Sequence, residues 1–218
     1  MEMTGRSKES RLGDFIDNPN KSLWELSIPM MFGMLVQSIY MLTDTAFIGR
    51  WVGPDALAAL GYVFPYMFVI MGITFGLDSG ATSVISKYIG SESKVKADLA
   101  AGQTIIIGIS ISLIIVVATL VFRDNFFLIQ NASGDSVSNA LSYFKILSSG
   151  SIFMILSMFI RAILSGEGDN LFPMKVLGVG TVLNIILDPI CIYCYGMDGA
   201  AFATVASQAI VCFIFFYY

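Results

Sequence analysis

Three aspartates, Asp44, Asp78 and Asp188, lie in stretches of sequence that are otherwise almost wholly apolar. A carboxylate held in hydrocarbon costs at least about 2.5 kcal/mol on insertion scales, so one that is kept there faces a cavity, an ion or a partner. Asn184 precedes Asp188 by one helical turn and shares its face. Tyr143 and Thr204 sit at a similar depth in apolar stretches of their own. Asp44, Tyr143, Asn184, Asp188 and Thr204 therefore deliver oxygen atoms from four segments to one level, as a proton or hard-cation site between helices requires. Taken singly, Asn184 or Thr204 is explained equally well by a helix–helix hydrogen bond. The chain has no histidine, so any proton relay rests on carboxylates rather than imidazole. Cys191 and Cys194 form a lone CxxC with no second pair to complete a ligand set, and they read as small buried apolar residues. No catalytic constellation, cofactor motif or structural metal site is expected; the ion anticipated is a coupling ion, H+ or Na+.

The elements that carry these groups follow from composition. Of 218 residues 56% are apolar and 13% charged, with mean hydropathy +0.78; soluble domains are about a quarter charged. The charges separate six apolar stretches, each near the roughly 20 residues that a helix needs to cross a bilayer. We place spans at about 23–48, 57–86, 98–122, 138–160, 171–195 and 198–218, joined by short connections that include Gly53-Pro54, Asn131-Ala-Ser-Gly-Asp135 and Gly196-Met197. The fold class expected is an all-α membrane protein of six transmembrane helices, preceded by a polar tail over 1–22 that lacks the pattern of a signal peptide. Nine Lys and Arg (Arg6, Lys8, Arg11, Lys21, Lys87, Lys94, Lys96, Arg161 and Lys175) fall at one side of these spans. Arg50 and Arg123 fall at the other, and Lys145 lies a turn or two inside the fourth span. Positive segments resist translocation, which puts the N-terminus in the cytoplasm. Asp44 and Asp188 then lie roughly 6–11 Å below the outer surface, at about 1.5 Å per residue. The net charge of −4 leaves no basic stripe for phosphates, so no nucleic-acid partner is expected.

Two prolines adjoin this layer or its helices. Pro29 and Pro189 each remove one backbone hydrogen bond, to the carbonyls of Glu25 and Ile185, and both helices are expected to bend or loosen there. Asp78 falls within Gly72-Ile-Thr-Phe-Gly76-Leu-Asp-Ser-Gly80, where the glycines suggest close helix packing and the aspartate is expected to reach water. The 26 Phe and Tyr residues would let an acidic chamber carry aromatic walls suited to an organic cation.

The run from Ile28-Pro29-Met30-Met31-Phe32-Gly33 through Asp44-Thr45-Ala46-Phe47-Ile48-Gly49-Arg50 to Ala56-Leu57-Ala58-Ala59-Leu60-Gly61 closely resembles the opening of multidrug and toxin extrusion (MATE) transporters. Arg161-Ala-Ile-Leu-Ser-Gly-Glu-Gly-Asp169, Leu183-Asn184-Ile-Ile-Leu-Asp188-Pro189 and Gly199-Ala-Ala-Phe-Ala-Thr204 are similar to that family's later signatures, in order and with family-like spacing. The resemblance covers nearly the whole chain and implies the N-terminal lobe of a two-lobe, twelve-span transporter. It implies a coupling-ion site at Asp44, Asn184, Asp188 and Thr204, with Gln37 and Tyr143 in support. Where some relatives carry an asparagine in the fourth span, this sequence has Met158.

The function so implied is secondary antiport in the cell membrane, exporting an organic cation or drug in exchange for H+ or Na+. Pro29 and Pro189 act as hinges, the surroundings are membrane lipid, and a second six-helix lobe, from the same or another chain, completes the transporter. Two other readings stand beside it: a non-transporting membrane remnant or regulatory subunit, and a flippase for lipid-linked oligosaccharides. The last needs a cationic chamber, and Asp44 with Asp188 argue against it.

Overall fold

Inside hydrocarbon each segment must satisfy its own backbone, and an isolated span can do so only as a helix. In a computed structural model, residues 19–130 and 136–218 are described. Their helices are α1 (Pro19–Trp51), α2 (Pro54–Gly90), α3 (Lys94–Val121), α4 (Arg123–Ile129), α5 (Ser136–Gly166), α6 (Leu171–Tyr195) and α7 (Met197–Tyr217). All but α4 are long and apolar enough to cross a membrane. The expected polar tail, apart from residues 19–22 at the start of α1, and the Asn131–Asp135 connection lie outside the described residues.

The helices outrun the apolar stretches because nothing in the flanking sequence breaks them. Arg161, expected in a connection, is inside α5, which continues to Gly166 before a Gly168 turn at φ 83°. The connection expected from Arg123 onward is in part helical: residues 123–129 form α4. The Phe126 ring stacks on Phe144, 5.4 Å between centroids, and Phe127 meets it edge-on at 5.3 Å. Gln130 Nε2 donates to the Tyr62 carbonyl at 3.1 Å, and an aromatic cluster thus seals the Trp51 end of the bundle.

α5 is the central helix, packed against α2, α3 and α7. It runs parallel to α2 in fixed register: Thr82 Oγ1 donates to the Ala162 carbonyl (3.1 Å) and Ser86 Oγ to that of Gly166 (3.2 Å). Arg161 Nη2 reaches Asp78 Oδ2 at 3.0 Å in the same interface. Asp78 is thus buried on an intramolecular ion pair rather than extended to water. The nearby glycines do not provide the expected close packing either. Gly72, Gly76 and Gly80 are exposed, and a Cβ on any of them meets nothing within 4 Å.

Close approach is instead built between α6 and α7, which form an antiparallel hairpin through Gly196 at φ 58°. A Cβ at Gly199 would overlap the Cys191 carbonyl, and one at Gly180 would overlap Val211. These contacts fix the register, pairing the start of α7 with the end of α6 and setting Ser207 level with Asn184. α1 runs parallel to α6, with Gly33 opposite Leu177 at 3.9 Å, and touches α2 and α7 little. Most of its other large side chains, including Met30, Phe32, Leu35 and Leu42, are exposed.

Gly199→Val should cost about 2 kcal/mol or more by forcing α6 and α7 apart. Gly76→Ala should be neutral or stabilising by up to about 1 kcal/mol. SDS titration of the folded chain in mixed micelles measures both. In the same assay Asp78→Ala should cost about 3 kcal/mol by stranding the Arg161 guanidinium, and adding Arg161→Ala should recover part of that loss.

Candidate functional site

α6 supplies the centre of the polar layer. Asn184 and Asp188, one turn apart, are both fully buried, and Asn184 Nδ2 donates to Asp188 Oδ1 at 3.1 Å. The amide thereby holds one carboxylate oxygen and leaves the other, Oδ2, free to point elsewhere. From α1, the Asp44 carboxylate lies beside that of Asp188, close enough for the two charges to interact. The parallel packing that sets Gly33 against Leu177 carries the same register up to this pair, since both pairs are 144 positions apart in sequence.

The ring of neighbours closes from α7 and α5. Thr204 is buried, and its Oγ1 accepts a hydrogen bond from the Tyr40 hydroxyl at 3.2 Å, tying α7 to α1 one turn from Asp44. Tyr143, on the central helix, is 3% exposed and lies close enough to interact electrostatically with Asp44, Asp188 and Tyr40. Four helices thus contribute to one enclosed polar layer. Three of its acceptor oxygens, Asp44 Oδ1, Asn184 Oδ1 and Asp188 Oδ2, are buried with no protein hydrogen-bond partner. Buried oxygens left this way carry a desolvation cost of about 1–3 kcal/mol each, or more when charged. A proton or a hard cation that prefers oxygen ligands removes that cost.

The structure therefore brings together Asp44, Asn184, Asp188, Thr204 and Tyr143. Gln37 is not part of the enclosure: it lies two turns from Asp44 along α1 and is exposed. Tyr40, which position along the spans does not single out, belongs to it. Its spacing of four residues before Asp44 was a usable signal, although tyrosine is too common in membrane helices for that spacing to stand out. Ser207 also lies at this level, buried with an unpartnered Oγ. Met158 is half-buried and brings no polar group. Asp78 belongs to the separate ion pair with Arg161. Cys191 and Cys194 are free thiols, and among the described residues no cluster of His, Cys, Asp or Glu has the makings of a metal site.

Pro29 and Pro189 interrupt neither helix: α1 and α6 are continuous through them. Pro189 follows Asp188 directly, so the backbone hydrogen bond it lacks falls within the polar layer. Pro29 is buried beside an apolar groove of about 480 Å³ lined by Ile28, Phe32 and Val36 of α1 and by Leu171 and Met174 of α6.

Comparison with known proteins places this architecture. The family profile described as MatE matches residues 29–190. The multidrug export protein MepA of Staphylococcus aureus is 28% identical over 214 residues, which cover 97% of this chain and 48% of MepA. A multidrug resistance MATE family transporter of the MOP superfamily, solved in an outward-facing conformation, superposes with a TM-score of 0.90 at 34% identity, over 99% of this chain and 47% of that one. A MATE structure described as the bent conformation gives 0.89 at 34% identity, again over 99% and 47%. The chain spans about half the length of the curated relatives it matches, and on this evidence it belongs to the MatE family, that of the multidrug and toxin extrusion transporters.

Proposed function

We propose that this chain is one lobe of a secondary antiporter that exports organic cations in exchange for H+ or Na+. It is seated in the cell membrane with its N-terminus in the cytoplasm and is completed by a second six-helix lobe. The observation that carries this reading is the pair of carboxylates, from α1 and α6, whose free oxygens are buried without a partner. Such a layer gains by taking up positive charge. A proton or sodium ion can supply it, and so can an outgoing organic cation, and the two compete for the same pair of acids. Such competition is sufficient for exchange.

Support for the wider assignment comes from the relatives. MepA is named as a multidrug export protein and is about twice as long as this chain, which leaves room for a second lobe. Tyr40 and Tyr143 give the layer aromatic walls that suit an organic cation. The acidic character of the layer disfavours an anionic cargo such as a lipid-linked oligosaccharide.

The conformational half of the proposal rests on α1. This helix is held mainly along α6, and the apolar groove beside Pro29 leaves space for its first half to shift. Neutralising Asp44 and Asp188 removes the repulsion between α1 and α6 and changes the relative populations of two packings, with Pro29 and Pro189 as the points of bending. Solved MATE structures described as bent and straight both superpose on this chain, with TM-scores of 0.89 and 0.90.

Dye efflux from vesicles containing this lobe joined to its second half tests the assignment. Asp44→Asn and Asp188→Asn should each reduce transport against a gradient to the passive leak, with the protein still folded and inserted. Normal uphill rates in either variant would refute the site. Pro29→Ala should slow turnover while leaving binding of the coupling ion nearly unchanged; unaltered turnover would remove Pro29 as a hinge.

A further inference from the structure

A second polar feature lies on the opposite, outward side of α5 and has no part in the acid pair. Ser142, Lys145 and Ser149 follow one another at helical spacing on its exposed face. With Gly150, Ile146 and Phe153 of α5 and Phe202 and Val205 of α7 they line an open groove of about 490 Å³. Gly150 sets the floor of the groove by letting α7 come close to α5: the Val205 side chain fills the place a Cβ there would take. Its lower wall is apolar. Its upper part holds one cation and two hydroxyls.

The depth of the cation is set by its neighbours. Ser142 lies beside Asp198 in the first turn of α7, so Ser142 is level with the start of that helix. Lys145 lies one turn further in, about 5 Å along the axis. A lysine here can lift its ammonium along its stem to the headgroup level. Burying that charge against lipid tails would be costly, and a protein carboxylate in salt-bridge contact would remove the cost. The ion pairs among the described residues are Lys21–Glu25, Arg123–Asp124 and Arg161–Asp78, none of them with Lys145. Asp198, the acid closest in register, lies beside Ser142 and forms no ion pair with Lys145.

The geometry points to a phospholipid as the occupant of this groove. Its phosphate is held by the Lys145 ammonium, and one acyl chain descends along the groove between Phe153 and Phe202. Charge complementarity selects the phosphate, since Lys145 is the one cation that lines the groove. The apolar lower wall accepts the chain. The inference is independent of the antiport reading, because no residue of the acid layer lines the groove.

Native mass spectrometry of the intact chain, released from detergent with added phosphatidylglycerol, tests it. Diacylglycerol with the same acyl chains is the phosphate-free control. One phosphatidylglycerol should remain bound to the wild type and diacylglycerol should not. Lys145→Gln should lower lipid occupancy on the order of tenfold, the scale of losing a charge-assisted hydrogen bond. Lys145→Arg should retain binding, and Lys87→Gln, at the other end of the bundle, should leave it unchanged. Unaltered melting of Lys145→Gln would confirm that the loss is local. Equal retention of diacylglycerol, or equal phosphatidylglycerol occupancy in Lys145→Gln and wild type, would overturn the proposal.

Discussion

The constraint on which this structure turns is that two carboxylates cannot remain in hydrocarbon unless the protein builds an enclosed space around them. Asp188 is fully buried, and Asp44 turns a buried oxygen toward the same layer. The arrangement of the lobe follows from that requirement. Asn184 fixes one oxygen of Asp188 from a turn away, Thr204 and Tyr40 tie α7 to α1 beside the pair, and Tyr143 backs it from the central helix. The close α6–α7 hairpin, with glycine at positions 180 and 199, holds these groups at one level. The aromatic cluster around Phe144 closes the bundle at the Trp51 end.

The two acids are not held with equal firmness. Asp188 sits on a helix packed along α7 on one side and α1 on the other, whereas Asp44 sits on the helix with the most exposed apolar surface. A pair split between a firmly held element and a loosely held one suits an exchange mechanism, because the charge state of the site is felt as attraction or repulsion between those elements. On the proposed reading, the exposed side of α1 is also where a second lobe or lipid must complete the environment. The ion pair between Asp78 and Arg161 plays the opposite part: it ties α2 to α5 within the packed part of the lobe.

What could be read from the sequence was what depends on local composition. Six apolar stretches of spanning length dictated six helices, and the rarity of carboxylates within them drew attention to Asp44 and Asp188 before any contact was known. Position along a helix was sufficient to set Asn184 with Asp188, because both belong to α6. Tyr40 does not stand out in the sequence because its hydrogen-bond partner, Thr204, is 164 residues away, and only tertiary packing makes that pairing visible. Gln37 has the right periodicity relative to Asp44, but the enclosure ends before its level. Arg161 reads by its charge as part of a connection, whereas its partner Asp78 allows it to sit inside α5. The exposed glycines of α2 show the same limit from the other side: small residues permit close packing but do not compel it. Helix α4, seven residues long, is shorter than any hydropathy window, and its ring contacts with Phe144 are what define it.

The central claim is that Asp44 and Asp188 act as one chemical unit. Infrared difference spectroscopy of the purified chain on acidification observes the protonated carboxyl groups directly. The account predicts a carboxyl band in an apolar environment that both Asp44→Asn and Asp188→Asn shift or abolish, because each acid modulates the other. A band that survives unchanged when either acid is replaced would mean that the two carboxylates titrate apart, and would contradict the account.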